Sequence, residues 1–163
     1  MSKNADKKET NRSIAVNRRA GLRYEFIETL EAGLALTGSE VKSVRAANVN
    51  LSDGFVRIEN EQAYLWNVHI APYTFGSSFV PQDPTRRRRL LLNRTEIKRW
   101  MGKTTVRGLT IVPLEIYFNK RGLAKLKIAL AKHKTGPDRR DDIKKRDLGR
   151  EMQREYTGKR RVR

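Results

Sequence analysis

The chain has no cysteine, which removes disulfides, thiolate nucleophiles and cysteine metal sites together. Stability must come from packing. Acid is scarce as well: 18 Asp and Glu against 36 Lys and Arg leave a formal net charge of +18 in 163 residues. A field of that sign collects polyanions whether or not a specific site exists, and a nucleic acid is the first partner it implies. An anionic membrane is the competing polyanion, but it calls for a basic amphipathic helix with a broad apolar face or a lipidation signal, and the N-terminus shows neither. No apolar run approaches the roughly 20 residues of a spanning helix. Residues 2–13 are polar, with no apolar signal core, so the expected location is the cytoplasm.

The usual seats of catalysis are missing too. There are two histidines: His69 lies in an apolar stretch and reads as a core or interface residue, and His133 lies where the sequence turns basic. No HxH or HExxH pattern assembles a metal site. The chain has neither a Gly-rich loop ending in Gly-Lys-Ser/Thr nor a GxGxxG turn, so nucleotide hydrolysis has no seat. Asp138, Asp141 and Asp142 could chelate magnesium as in some nucleases, yet the interleaved arginines favour helix ion pairs. No cofactor, metal or catalytic residue is expected. No internal repeat is present, and no RNP-like aromatic cluster is apparent, which favours recognition of folded RNA by shape and backbone.

What is present is one domain with tails. Residues 1–13 read as a flexible basic arm, 14–131 as the folded domain and 132–163 as a basic tail. Tyr24 to Leu30 alternates as a half-buried strand does, and Gly33 to Leu36 continues it after a bend at Ala32-Gly33. Glu40 to Ala47 fits a short helix. Phe55 to Ile58 and Ala63 to Ile70 flank a polar turn and form a hairpin. Asn93 and Glu96 cap a helix that buries Ile97 and Trp100 or Met101 and ends at Gly102. Leu109 to Phe118 and Leu123 to Ala131 form a second hairpin around Asn119-Lys120-Arg121-Gly122, with Pro113 at an edge or a bulge. Mainly β structure with short helices, arranged as a small antiparallel barrel, is the expected fold class.

In the tail, 13 Lys or Arg face 6 Asp or Glu, a net +7 that leaves +11 on the rest. Leu148, Met152 and Tyr156 lie four apart and make one thin helical stripe, too little to hold a fold alone. A segment disordered when free and helical on a partner is the reading, with Gly149 and Gly158 weakening that helix.

Several charged groups suggest where RNA would lie. The run Gly38-Ser39-Glu40-Val41-Lys42-Ser43-Val44-Arg45 places glycine, acid and base where a strand turns into a helix. Arg86 to Arg89 run into Leu90-Leu91-Leu92-Asn93, so guanidinium forks stand beside an aliphatic platform suited to phosphate and to a base or ribose; a merely solvated loop is the plain alternative. Glu31 is either an acceptor for base amino groups and ribose hydroxyls or the partner of a nearby arginine. Lys125 and Lys127 alternate with Leu126 and Ile128, so both ammonium groups face one side of a strand and the apolar pair faces the core.

Asn17-Arg18-Arg19-Ala20, Glu31-Ala32-Gly33, Glu40 to Arg45, Asn50-Leu51-Ser52-Asp53, Asp83-Pro84-Thr85-Arg86, Leu90 to Asn93 and Lys125 to Ile128 occur in order along nearly the whole chain. This series resembles small protein B, the SsrA-binding family that partners tmRNA on stalled bacterial ribosomes. The resemblance implies an OB-fold-like barrel with flanking helices that holds the tRNA-like domain of tmRNA. It also implies that nothing is catalysed. Carried over by motif, the family's tmRNA contacts fall on Glu31, Leu91, Asn93 and Lys125, and the wider RNA-binding set adds Asn17, Arg19, Lys42, Arg45, Arg86, Arg88 and Lys127.

The same resemblance makes the tail a ribosome-binding segment that enters the decoding centre and the empty mRNA channel. Its candidates are Lys132, Lys134, Asp138, Arg139, Arg140, Lys144, Lys145, Arg146 and Met152. The family's usual Gly-Lys-Lys stretch reads His133-Lys134-Thr135 here, Pro137 replaces an aromatic or histidine, and Arg139 replaces a lysine, keeping charge but not shape. The expected partners are tmRNA and the stalled 70S ribosome, with the chain a monomer. A general structural or ribosomal RNA-binding protein is the competing class, and a metal-dependent nuclease acting through the tail aspartates is a third.

Overall fold

The computed structural model describes residues 11–75, 82–135 and Leu148. The chain divides into two compact units, one through His133 and one from Lys134 onward. The first contains β1 (Ser13–Val16), α1 (Ala20–Arg23), β2 (Tyr24–Leu34), α2 (Gly38–Arg45), β3 (Val49–Asn50) and β4 (Phe55–Glu59). It continues with β5 (Gln62–Trp66), β6 (His69–Ile70), β7 (Arg88–Leu91), α3 (Arg94–Thr104), β8 (Leu109–Phe118) and β9 (Ala124–His133). In the second unit Leu148 is helical and exposed.

The main sheet runs β8-β4-β5-β7-β2-β9, every pair antiparallel, and β9 pairs back onto β8. The hydrogen-bonded order thus returns to its start, the OB-like arrangement expected from the sequence. Period-2 alternation sends Ala32 and Leu34, Val56, Ala63 and Leu65, Leu90, Ile111 and Ile116, and Leu126, Ile128 and Leu130 into one core, which Val44 of α2 and Trp100 of α3 join. A second cluster, Ala20, Val112, Ala129 and Ala131, lies where α1 packs on β8 and β9. Burial on both faces explains the unbroken apolar run from Ile128 to Ala131 in β9, after which Lys132 and His133 are exposed.

Both hairpins form as the turn residues dictate. Asn60 and Glu61 adopt positive φ, 48° and 59°, the two-residue geometry that matches strand twist. At the other turn Gly122 has φ +75°, and Asn119 Oδ1 accepts the N–H groups of Arg121 and Leu123 at 3.0 and 2.9 Å. Gly54 is needed for space: a Cβ there would overlap Val68 and meet Pro113 Cγ at 3.0 Å. Gly54→Ala is therefore expected to cost about 1–3 kcal/mol by overpacking, read as a lower urea midpoint with an unchanged slope.

Several expectations need correction. β2 is continuous through Ala32-Gly33 and its irregularity sits between Phe26 and Glu28. The strand predicted from Ala63 to Ile70 breaks after Trp66, because Asn67 takes φ +57° and donates through Nδ2 to Asp53 O at 3.1 Å; His69 and Ile70 instead pair with β3. His69 is consequently exposed rather than in the core. α2 starts two residues early, where Thr37 caps it and its N–H donates to Glu40 Oε2 at 3.0 Å, and Ala47 at φ +61° follows its end. α3 runs through Gly102 to Thr104, with Trp100 buried and Met101 partly exposed. Pro113 does sit at a bulge, but β8 is no edge, since β1, β4 and β9 all pair with it. β9 continues to His133, so Lys132 is a strand residue paired with Glu25 and Leu109, not the start of the tail. His133 meets Tyr24 edge-on, ring centroids 5.1 Å apart.

Candidate nucleic-acid interface

Four strands bring distant residues into one row on the outer wall. Across β8, β9, β2 and β7, Tyr117 pairs with Lys125, Lys125 with Gly33, and Gly33 with Leu91. Directly paired residues share a face, so Lys125 and Leu91 flank the one position without a side chain. Leu91 lies over Gly33, where a Cβ would stand 3.0 Å from its own, and remains 54% exposed. In the adjoining row Glu115, Lys127 and Glu31 alternate in charge. Glu31 takes the Tyr117 hydroxyl as donor and Lys125 Nζ as an ion-pair partner at 3.5 Å. It has the ion pair that sequence allowed, with a lysine instead of an arginine, and both side chains are still open to solvent.

Asn93 follows β7 by two residues and precedes α3, its N–H donating to Glu96 Oε2 at 3.0 Å. The structure therefore gathers Glu31, Leu91, Lys125 and Lys127 on one wall, with Asn93 at its margin. Sequence reasoning missed Tyr117 and Gly33. Counting back from the Asn119–Gly122 turn would have placed Tyr117 opposite Lys125.

The corner at α2 is built differently from its sequence reading. Glu40 points inward and is nearly buried, accepting Arg86 Nε at 2.9 Å and Nη2 at 2.5 Å, Arg88 Nε at 2.8 Å and the Thr37 N–H. Arg88 has no exposed side-chain surface, and its remaining donors go to Val68 O at 2.7 Å and Pro84 O at 2.9 Å. This arginine is removed from the RNA-contact set: alternation along β7 turns it inward. Burial pushes the Arg88 guanidinium down from its ordinary value, opposed by Glu40. Burial also pushes the Glu40 carboxyl up, but the hydrogen bonds from Arg86, the Thr37 N–H and Arg88 outweigh it and hold the group below its ordinary 4.5.

Asn17 is a second correction. It is buried, Nδ2 donating to Leu51 O at 3.2 Å and Pro113 O at 2.9 Å while Oδ1 accepts the Ala20 N–H at 3.2 Å. Its amide ties α1 to the β8 bulge and has no donor left for RNA. Arg86 is half-buried and committed to Glu40. Arg19, Lys42 and Arg45 are exposed; Lys42 Nζ stands 5.3 Å from the Tyr73 ring and Arg45 Cζ 5.4 Å from that of Phe118. Lys134 is exposed beyond β9. Asp138, Arg139, Arg140, Lys144, Lys145, Arg146 and Met152, with the nuclease aspartates and the proposed tail helix beyond Leu148, lie outside the described residues.

Among the described residues no group of three or more His, Cys, Asp or Glu is placed to hold a metal, and no helix is long and apolar enough to cross a membrane. A basic antiparallel β-sheet protein with cations, an acceptor and an aliphatic platform on one wall belongs to the class that holds folded RNA on its surface. The SmpB protein family model matches residues 14–158. The SsrA-binding protein of Acaryochloris marina is 51% identical over 90% of this chain and 94% of that relative, and its counterpart in Pelotomaculum thermopropionicum is 52% identical over 86% and 91%. A solved structure described as "tmRNA-SmpB: a journey to the center of the bacterial ribosome" superimposes with a TM-score of 0.64 at 49% identity, covering 76% of this chain and 86% of that one. This chain belongs to the SmpB family.

Proposed function

We propose that this chain is a non-catalytic adaptor that binds the tRNA-like domain of tmRNA (SsrA) and delivers it to stalled ribosomes for trans-translation. The observation that carries the reading is the Tyr117-Lys125-Gly33-Leu91 row with Glu31 beside it, in a chain whose relatives are named for binding SsrA. Lys125 and Lys127 supply phosphate contacts. The Glu31 carboxylate, oriented by Tyr117, accepts from ribose 2′-hydroxyls or base amino groups, and Leu91 offers an aliphatic surface beside the side-chain-free Gly33. The tail, through Asp138-Arg139-Arg140 and the bases after it, enters the decoding centre and the empty mRNA channel, so protein and RNA together imitate a whole tRNA. Such work places the chain in the cytoplasm.

The test sets a tRNA-like fragment of tmRNA against an excess of bulk tRNA and ribosomal RNA at fixed, near-physiological salt, because any basic protein loses affinity as salt rises. Strong preference for the fragment is expected. Equal affinity for all three would leave a general RNA-binding protein. Glu31→Ala combined with Lys125→Ala should weaken fragment binding about 10- to 100-fold, as the loss of one or two charge-assisted contacts. Because the pair is removed together, no uncompensated charge remains, and stability should change by only about 1 kcal/mol. Unchanged affinity in the double variant would overturn this assignment of the wall.

A further inference from the structure

We propose that the outer face of β4, β5 and β7 is a second RNA-contact surface, one that stacks unpaired nucleotides. In the ring β8-β4-β5-β7-β2-β9, β5 is three strands from β9 in either direction. This face is therefore centred away from β9, adjoins the Glu31 wall along β7, and stands whether or not that wall binds tmRNA.

The hairpin register puts Phe55 opposite Trp66 and Arg57 opposite Tyr64, while β7 adds Arg89 beside Tyr64. The alternate residues Val56, Ala63 and Leu65 are buried, so the aromatic and basic set points outward. The rings of Phe55 and Trp66 stack, centroids 6.5 Å apart and planes within 4°. Arg87 lays its guanidinium 4.9 Å from the Tyr64 ring and 5.8 Å from that of Trp66, and Arg57 stands 5.8 Å from Phe55. Glu59 reaches both arginines at 3.7 Å, yet their side chains stay 54% and 63% exposed.

Each guanidinium thus has one side on a ring and much of its surface open to solvent. A base can stack on that open side and a phosphate can take the outward N–H groups. Three arginines against one glutamate give the sign that RNA requires. The aromatic cluster was not apparent in sequence because Phe55 and Trp66 become neighbours only when the hairpin closes.

The same contacts could serve only to brace the hairpin, and binding of a ten-nucleotide oligoadenylate separates the two roles. Arg57→Ala with Arg87→Ala is expected to weaken it about tenfold or more, as the loss of stacking platforms. The charge-matched pair Arg107→Ala with Arg121→Ala, both exposed elsewhere, should weaken it only about threefold, as the loss of diffuse attraction. Photocrosslinking of a ten-nucleotide 4-thiouridine oligomer to the unaltered full chain should map to residues 55–66 and 87–89. Equal weakening by both pairs, or crosslinks confined to other segments, would overturn the proposal. Both Arg57→Ala with Arg87→Ala and the Glu31 wall variant can be assayed on both RNAs, so failure of one face is distinguishable from failure of the other.

Discussion

Glu40→Ala is expected to destabilise the folded domain by about 3–5 kcal/mol, the cost of leaving a buried cation without its partner. Arg88 would keep its bonds to the Val68 and Pro84 carbonyls but would lose its ion pair with the buried Glu40 carboxylate, and Arg86 would be released to solvent. Arg88→Met should be milder, because it removes the charge that needs compensation and Glu40 keeps Arg86. Urea unfolding of the two variants checks the order; a larger loss for Arg88→Met would refute it. Since the Glu40 carboxyl is held below its ordinary 4.5, its contribution is fully present above that value and is lost as pH falls through the folded-state value. Stability of the unaltered chain should therefore decline more steeply below about pH 4.5 than that of Glu40→Gln.

Truncation after Thr135 is expected to leave binding of the tRNA-like fragment intact and to abolish tagging of stalled peptides. β9 ends at His133, so the cut removes no described strand. It takes away 11 Lys or Arg and 6 Asp or Glu, lowering the net charge from +18 to +13, and the field that attracts RNA persists. Fragment affinity and tagging of a stalled nascent chain would be measured on the same preparation. Normal tagging by the truncated protein would remove the tail from the proposed mechanism.

The sequence carried the strands and the outward lysines because period 2 is local: Leu126 and Ile128 could face only the core if Lys125 and Lys127 faced water. It carried the second hairpin's register through Asn119 and Gly122. The four arginines were a different matter. Alternation allows either parity to point inward, and the choice is made by Glu40, 48 residues before Arg88. Asn17 was lost for the same reason, its acceptors lying 34 and 96 residues away. Outward-facing residues that alternate along one strand were legible; their neighbours on other strands, and a buried polar network closed by tertiary contacts, were not.

The returning strand order has a further consequence for a protein that works among long polyanions. Main-chain N–H and C=O groups left unpaired at a sheet margin are templates for self-assembly into ordered aggregates. Among the described residues, the β8–β9 pairing closes the main sheet on itself and leaves such margins at β1, only four residues long, and along β2 before Gly33, where β9 is the strand partner on one side and none lies on the other. Strand exchange between copies crowded onto one RNA would therefore have to begin at β1 or the start of β2, and precipitates held by charge alone should dissolve when salt screens the charges.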